Sequence, residues 1–170
     1  MADTIFYYQD GTTSTSSDAI LTIFSRNILK TLVSVKIGDA VTTIGDNCFE
    51  SGFNCNLSEI IIPDNVLLIK SFAFAFDITL KKVIIGKGIS NIEGYAFFNC
   101  NVLTKIYFSG NCPNFETDSL VNNNPNLKLY RKKNFVTGWP NSVQGVPVVL
   151  WSDNVIKSGG TGKLTTKKRN

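Results

Sequence analysis

LSEIIIPDNVLLIKSFAFAF, from Leu57 to Phe76, returns twenty-three residues later as LKKVIIGKGISNIEGYAFFN, from Leu80 to Asn99. The first copy is rich in apolar residues, yet Pro63, Asp64 and Asn65 divide it into two short pieces. Taking Leu57 as position zero, apolar residues follow at offsets 3, 5, 9, 12, 16 and 17: Ile60, Ile62, Val66, Ile69, Ala73 and Phe74. The same offsets from Leu80 give Val83, Ile85, Ile89, Ile92, Ala96 and Phe97. From Leu32 they give Val35, Ile37, Val41, Ile44, Cys48 and Phe49. From Leu103 only Ile106, Phe108, Cys112 and Phe115 survive.

Unit starts are separated by 25, 23 and 23 residues. The two extra residues of the first unit are assigned to its closing loop, around Ser51 to Phe53, where insertion disturbs least. A unit of this size cannot bury its own apolar side, so the pattern predicts a β-rich repeat solenoid. Stacking would set Leu57 between Leu32 and Leu80, and Phe74 between Phe49 and Phe97. Within a unit, offsets 3 and 5 alternate with polar or variable residues and read as a short strand. A turn follows (Gly38-Asp39, Pro63-Asp64-Asn65, Gly86-Lys87-Gly88), then a second extended piece, then an irregular or helical turn opened by the Ala-Phe pair.

LSEIIIPDNVLLIKSFAFAF and LKKVIIGKGISNIEGYAFFNC resemble the BspA-type leucine-rich repeat, approximately L-xx-I-x-I-P-xx-V-xx-I-xxx-A-F-xx-C-xx-L. The resemblance covers about residues 32 to 115. NLKLYRKKNFVTGWP also resembles the segment that closes such arrays. Cys48, where Ala is usual, and the decay after Phe115 are departures. The resemblance implies a right-handed leucine-rich-repeat superhelix that binds proteins or host surfaces, with no catalytic residues to carry over. The family is associated with surface and secreted antigens of bacteria and some protists, and with large DNA viruses.

The chain is thereby divided into an N-terminal cap (1–31), leucine-rich repeats (32–126, three full units and a partial fourth), a C-terminal cap (127–151) and a basic tail (152–170). Ser17 or Asp18 would cap a helix running to about Lys30, with Ile20, Leu21, Phe24 and Ile28 on the face that covers the Leu32 unit. Leu127 and Leu129 imitate one last strand. Phe135, Trp139 and the alternation Val146, Val148, Leu150 would close the core as a β cap.

Composition narrows the function classes. The net charge of +4 is carried by the tail: Lys157, Lys163, Lys167, Lys168 and Arg169 lie in the last fourteen residues, which contain no acid. Without them twelve bases face thirteen acids, and the body offers no evident basic face for nucleic acid. No apolar run reaches the ~18 residues of a membrane span, and MADTIFYYQDG lacks a secretory signal's basic and apolar regions. The expected location is cytoplasmic or virion-associated, with the cell surface suggested by the family. There is no histidine and no C-x-x-C pair, so zinc spacings and the usual general base are absent. Asp39, Asp46, Asp64 and Glu93 fall in turns or at edges, the ordinary place for acids.

Other signals reduce to bland readings. SGGTGKLT resembles a phosphate loop, but Leu164 follows Lys163 and Lys157 stands in place of the first Gly. Cys55 and Cys100 are two repeats apart, about 10 Å at sheet spacing, so four free thiols are expected. The sequon Asn56-Leu57-Ser58 is built around a core position.

The candidate binding face is offset 4, on the solvent side of the first strand: Lys36, Ile61, Ile84 and Tyr107. Offset 2 beside it reads Ser34, Glu59, Lys82 and Lys105. An apolar row flanked by charge fits a protein-binding stripe; the competing reading is simple strand propensity. Leu67 and Leu68 would add a second exposed apolar spot. The expected role is a non-enzymatic protein–protein interaction module without cofactor. Its rivals are a structural component of a virion or surface layer, and a nucleic-acid or membrane tether working through the tail.

Overall fold

The computed structural model describes residues 2–22, 27, 30–50, 55–134 and 138–151. The chain winds into a β-solenoid of about five turns. The first strands of successive units are β6 (Glu59–Ile62), β8 (Lys82–Ile85), β10 (Lys105–Phe108) and β12 (Lys128–Lys132). They pair in parallel and in register, and β14 (Val146–Trp151) extends the sheet beyond β12, with β13 (Ser142–Val143) antiparallel at its edge. The second extended pieces form a five-stranded parallel sheet of β3 (Ile20–Leu21), β5 (Thr43–Ile44), β7 (Leu68–Ile69), β9 (Asn91–Ile92) and β11 (Asn114–Phe115).

The offsets that recur in the sequence are those that face inward. Leu32, Leu57, Leu80 and Leu103 are buried, as are Ile60, Val83 and Ile106, in one continuous core. The rings of Phe49, Phe74 and Phe97 stack in a column, with centroids 5.3 and 5.1 Å apart. Between units the polar residues also repeat their partners. Glu59 and Lys82, in register on adjacent strands, form a 2.7 Å ion pair. In the Pro63 turn, the Asn65 side-chain amide donates to the carbonyls of Gly38 and Val41 in the preceding unit. Gly86 has no room for a side chain: a Cβ would lie 2.6 Å from the backbone of Pro63 and Asp64.

The N-terminal region departs from expectation. Among the described residues there is no helix, and residues 20–21 are strand β3. Leu21 is buried and pairs beside Ile44, while Ile20 is 51% exposed. Phe24 and Ile28 lie outside the described residues. The cause is visible in backbone bonds. Gly45 N donates to Leu21 O as Lys70 N does to Ile44 O, Glu93 N to Ile69 O and Glu116 N to Ile92 O. A strand at Leu21 obtains the same ladder as every later unit, which a capping helix would forgo. The cap proper is β1 (Thr4–Tyr8), antiparallel to both β2 (Thr13–Ser16) and β4 (Leu32–Lys36).

At the other end, Trp139 packs on Phe108 with a centroid distance of 4.9 Å and donates from Nε1 to Gly110 O at 3.4 Å. The β13–β14 hairpin turns through Gln144 and Gly145, both at positive φ (49° and 81°), a combination that matches the strand twist. Val146 and Val148 pack against the core, but Leu150 is exposed because its register partner is Arg131 and no core residue. Phe135 and the tail lie outside the described residues.

The four cysteines are free thiols. Cys100 is buried, which pushes its thiol up to about 12, and its Sγ donates to Phe74 O at 3.0 Å.

One buried charge stands out. Asp77 Oδ1 accepts from Thr79 N, Thr79 Oγ1 and Leu80 N at 2.7–2.8 Å, while buried Oδ2 has no hydrogen-bond partner among the described residues. Burial raises its pKa, outweighing the hydrogen bonds from Thr79 and Leu80 that lower it. The stability contributed by the protonated acid is therefore complete below the unfolded pKa of about 3.9 and is lost as pH rises through the folded value. Asp77→Asn keeps an acceptor at Oδ1 and removes the charge. We expect the stability difference between the variant and the parent to shift in the variant's favour as pH rises from about 3.5 to about 7, because only the parent must then bury a charge. Urea denaturation at both pH values checks this, and a gain independent of pH contradicts it.

Candidate functional site

The parallel register of β6, β8 and β10 sets Ile61, Ile84 and Tyr107 side by side, with Tyr130 and Val149 next in the row. These side chains stand on the face opposite the Leu ladder. They are not an open row. Ile61 is 54% exposed, but Ile84 and Tyr107 are only 8% and 4% exposed. Together with Trp151 they form a second, small apolar cluster, on which Tyr130 packs. The Trp151 ring lies 5.2 Å from that of Tyr107, Tyr107 stacks on Tyr130 at 4.6 Å, and Lys132 Nζ sits 5.3 Å from the Trp151 ring. Burial first, then the neighbouring Tyr130 and Glu59, raise the Tyr107 phenol above its ordinary pKa.

The expectation that Ile84 and Tyr107 face solvent is thus corrected. Offset and strand parity place them on the outer face, but only the position of β14 decides whether that face is wet. Trp151 belongs to no repeat offset, so the periodicity carries no signal for it. Its register with Lys132 through β12 brings it over the row.

The flanking charges fall in an ordered ladder. Glu59, Lys82, Lys105 and Lys128 occupy consecutive in-register positions. Glu59 neutralises Lys82, while Lys105 and Lys128 are exposed. Like charges directly opposite on adjacent strands are destabilising, and solvent exposure keeps the effect small at Lys105 and Lys128. Lys128 was not among the sequence candidates, although it lies 23 residues after Lys105, the same period.

The sheet face therefore has two halves. Toward the C-terminus, Ile84 and Tyr107 are buried, with Trp151 packed on Tyr107. Toward the N-terminus, Ile61 is open, together with exposed Val33 on β4. A cavity of about 400 Å³ lies between them, lined by Val33–Ile37 and by residues of the segment Ser58–Pro63. Leu67 is also exposed, and Leu68 is half-buried.

A second surface, at the Ala-Phe turns, was missed by pattern reading. Phe72 and Tyr95 hold left-handed φ values of 56° and 61°, where the flanking units have Asn47 and Asp118 at 54° and 62°. Phe76, at 58°, matches Asn99 and Asn122. Asn and Asp tolerate this region, whereas bulky side chains rarely adopt it. The Asn and Asp of the flanking units are the sequence signal for it. The aromatics stack across units, Phe72 on Tyr95 at 5.2 Å and Phe76 edge-on to Phe98 at 5.1 Å, which offsets part of the strain.

Among the described residues no helix is long and apolar enough to cross a membrane. Comparison with known proteins places residues 2–133 on the model of the BspA type leucine rich repeat region, in six copies. That match begins well before Leu32, in agreement with the repeat-like bonding of β3. No curated protein and no solved structure matches the chain.

Proposed function

The chain belongs to the BspA-type leucine-rich repeat family, and from this premise we propose that it is a non-enzymatic protein-interaction module. The partner docks on the N-terminal half of the outer sheet face. Ile61 is the apolar anchor. Glu59, Lys82 and Lys105 form its charged rim, and Ile84 and Tyr107 supply the rigid covered floor beside it. The observation that carries the reading is the exposure of Ile61 in a row whose next two members are buried in an apolar cluster that includes the chain's own Trp151. Tyr107 in that row packs against Trp151, and Ile61 is its exposed apolar member. Lys105 and Lys128, which form no ion pair among the described residues, favour a partner with acidic groups around its apolar contact.

Ile61→Ser is expected to weaken partner capture at least tenfold, since central interface anchors contribute at least ~1–2 kcal/mol. Stability should move by less than about 0.5 kcal/mol, because the side chain is exposed. A pull-down from the native source, comparing Ile61→Ser with a deletion of residues 157–170, checks this. Capture retained by Ile61→Ser and lost on tail deletion moves the function to the basic tail and supports the tether instead.

A further inference from the structure

The aromatic rings at the Ala-Phe turns form a surface of their own. Phe72 stacks on Tyr95 at 5.2 Å, Tyr95 meets Phe98 edge-on at 5.6 Å, and Phe98 meets Phe76 edge-on at 5.1 Å. None of the four belongs to either buried apolar cluster, and Tyr95 and Phe76 are 39% and 40% exposed. The solenoid does not require rings at these positions. Where Phe72 and Tyr95 stand, the flanking units carry Asn47 and Asp118; where Phe76 stands, the following units carry Asn99 and Asn122, all with the same left-handed backbone. Large rings thus occupy places that small polar residues fill with less strain.

Carboxylates of the next unit are fixed beside these rings. Glu93 Oε2 accepts at 3.0 Å from the N–H of Ser71, the residue before Phe72. Glu116 Oε2 accepts at 3.2 Å from the N–H of Gly94, the residue before Tyr95. Asp118 Oδ2 accepts from the Tyr95 hydroxyl at 3.3 Å. These three acids form no ion pair among the described residues. The one base in the turns 70–76, 93–99 and 116–122 is Lys70, which is paired with Asp46 at 3.3 Å. The turn face therefore joins exposed aromatic surface to negative charge that the chain does not balance there.

We infer that this face docks an arginine-bearing segment of a protein partner. The chemistry selects the side chain. A guanidinium stacks on aromatic rings and pairs with carboxylates through its planar fork of donors, so it uses both components of the patch at once. A lysine ammonium, a compact and strongly hydrated charge, gains less from the rings. A neutral stacking ligand, such as a sugar, leaves the three carboxylates without a counter-charge. The face lies on the turns and not on the strand that carries Ile61, so the inference does not rest on docking at the sheet.

The probe is a labelled, end-blocked peptide, GRGRGRG, titrated into the full chain and followed by fluorescence anisotropy at physiological ionic strength. Saturable binding is expected, at least tenfold tighter than that of GKGKGKG. It should exceed by the same factor the binding of a peptide with citrulline for arginine, which keeps the planar shape and loses the charge. Phe72→Asn combined with Tyr95→Asn should weaken binding at least tenfold in a protein that still folds, because Asn47 holds the same position at a φ of 54°. Asp118→Asn keeps an acceptor for the Tyr95 hydroxyl and suits a left-handed backbone; it should also weaken binding, and it decides the matter should the ring variant fail to fold. Ile61→Ser should leave peptide binding unchanged.

Equal affinity for the arginine and lysine peptides overturns the inference in favour of diffuse charge attraction. Equal affinity for the citrulline peptide overturns it in favour of a neutral stacking ligand. Binding retained in the ring variant, or no saturation up to about 1 mM, the weak end of specific recognition, overturns it outright. Loss of peptide binding in Ile61→Ser moves the peptide to the sheet face. Binding that appears only after deletion of residues 157–170 replaces the partner with the chain's own basic tail.

Discussion

Phe74→Ala is expected to destabilise the protein by about 3–5 kcal/mol, as large aromatic truncations in packed cores do. Phe74 is fully buried and is the middle ring of the Phe49–Phe74–Phe97 column, so it has a stacked neighbour on each side. Each aromatic pair contributes about 0.5–1.5 kcal/mol beyond area burial, which puts Phe74 at the upper end of the range and Phe97, at the column's end, lower. The surrounding backbone limits relaxation. Phe49 N donates to Ala73 O and Phe74 N to Ala96 O, so the turns on either side cannot collapse into the void without breaking inter-unit bonds. Chemical denaturation followed by circular dichroism measures the loss. Ile78→Ala, at a side chain 66% exposed, is the reference and should cost less than about 0.5 kcal/mol. Equal midpoints for the two variants would falsify the column as a core.

Trp151→Ala is expected to cost about 3 kcal/mol, the low end for a buried aromatic truncation because one side of the ring faces the sheet surface. Two losses and one compensation make up the change. The ring that packs on Tyr107 is removed from the cluster that holds Ile84. The contact between Lys132 Nζ and the ring disappears. Partial compensation comes from the indole Nε1, buried without a hydrogen-bond partner among the described residues. Trp151→Phe drops that orphan donor while keeping a ring, and should cost no more than about 1.5 kcal/mol. A spectroscopic readout separates this cover from a general loss of stability. The Tyr107 phenol is held above its ordinary pKa mainly by burial, so Trp151→Ala should bring it down toward that of a free tyrosine in an alkaline absorbance titration, and Trp151→Phe should move it less. An unchanged titration in a folded Trp151→Ala protein would show that Trp151 does not shield the row.

These two substitutions also mark where pattern reading succeeds and where it stops. The Phe column is legible because each unit must repeat the same inward positions to stack; a polar residue at offset 17 would leave a hole in a shared core. Parity on a strand likewise tells that Ile61, Ile84 and Tyr107 share one face. It cannot tell what lies over that face. Trp151 arrives there through the pairing of β14 with β12, a contact between segments with no common period.

The N-terminal segment shows the same limit in reverse. Ile20, Leu21, Phe24 and Ile28 have helical spacing, and local pattern favours a helix. Leu21 nevertheless lies 23 residues before Ile44, and the open edge of β5 rewards a strand there with the ladder bonds of every later unit. An edge with unpaired donors outweighed a local preference worth only tenths of a kcal/mol per residue.

The sequence by itself determined the repeat, its period, the inward ladder from Leu32 to Leu103, and the turn chemistry at Pro63 and Gly86, because all of these are set by local geometry and by identical neighbours stacking on one another. Only the tertiary structure decided which end of the sheet is covered and which is open. The 25-residue spacing was visible, but that β4 leaves the parallel sheet and joins β1 and β2 in an antiparallel one is seen only in three dimensions. Which segments meet at a strand edge is set by the bonds they can complete in three dimensions, and no periodicity records it.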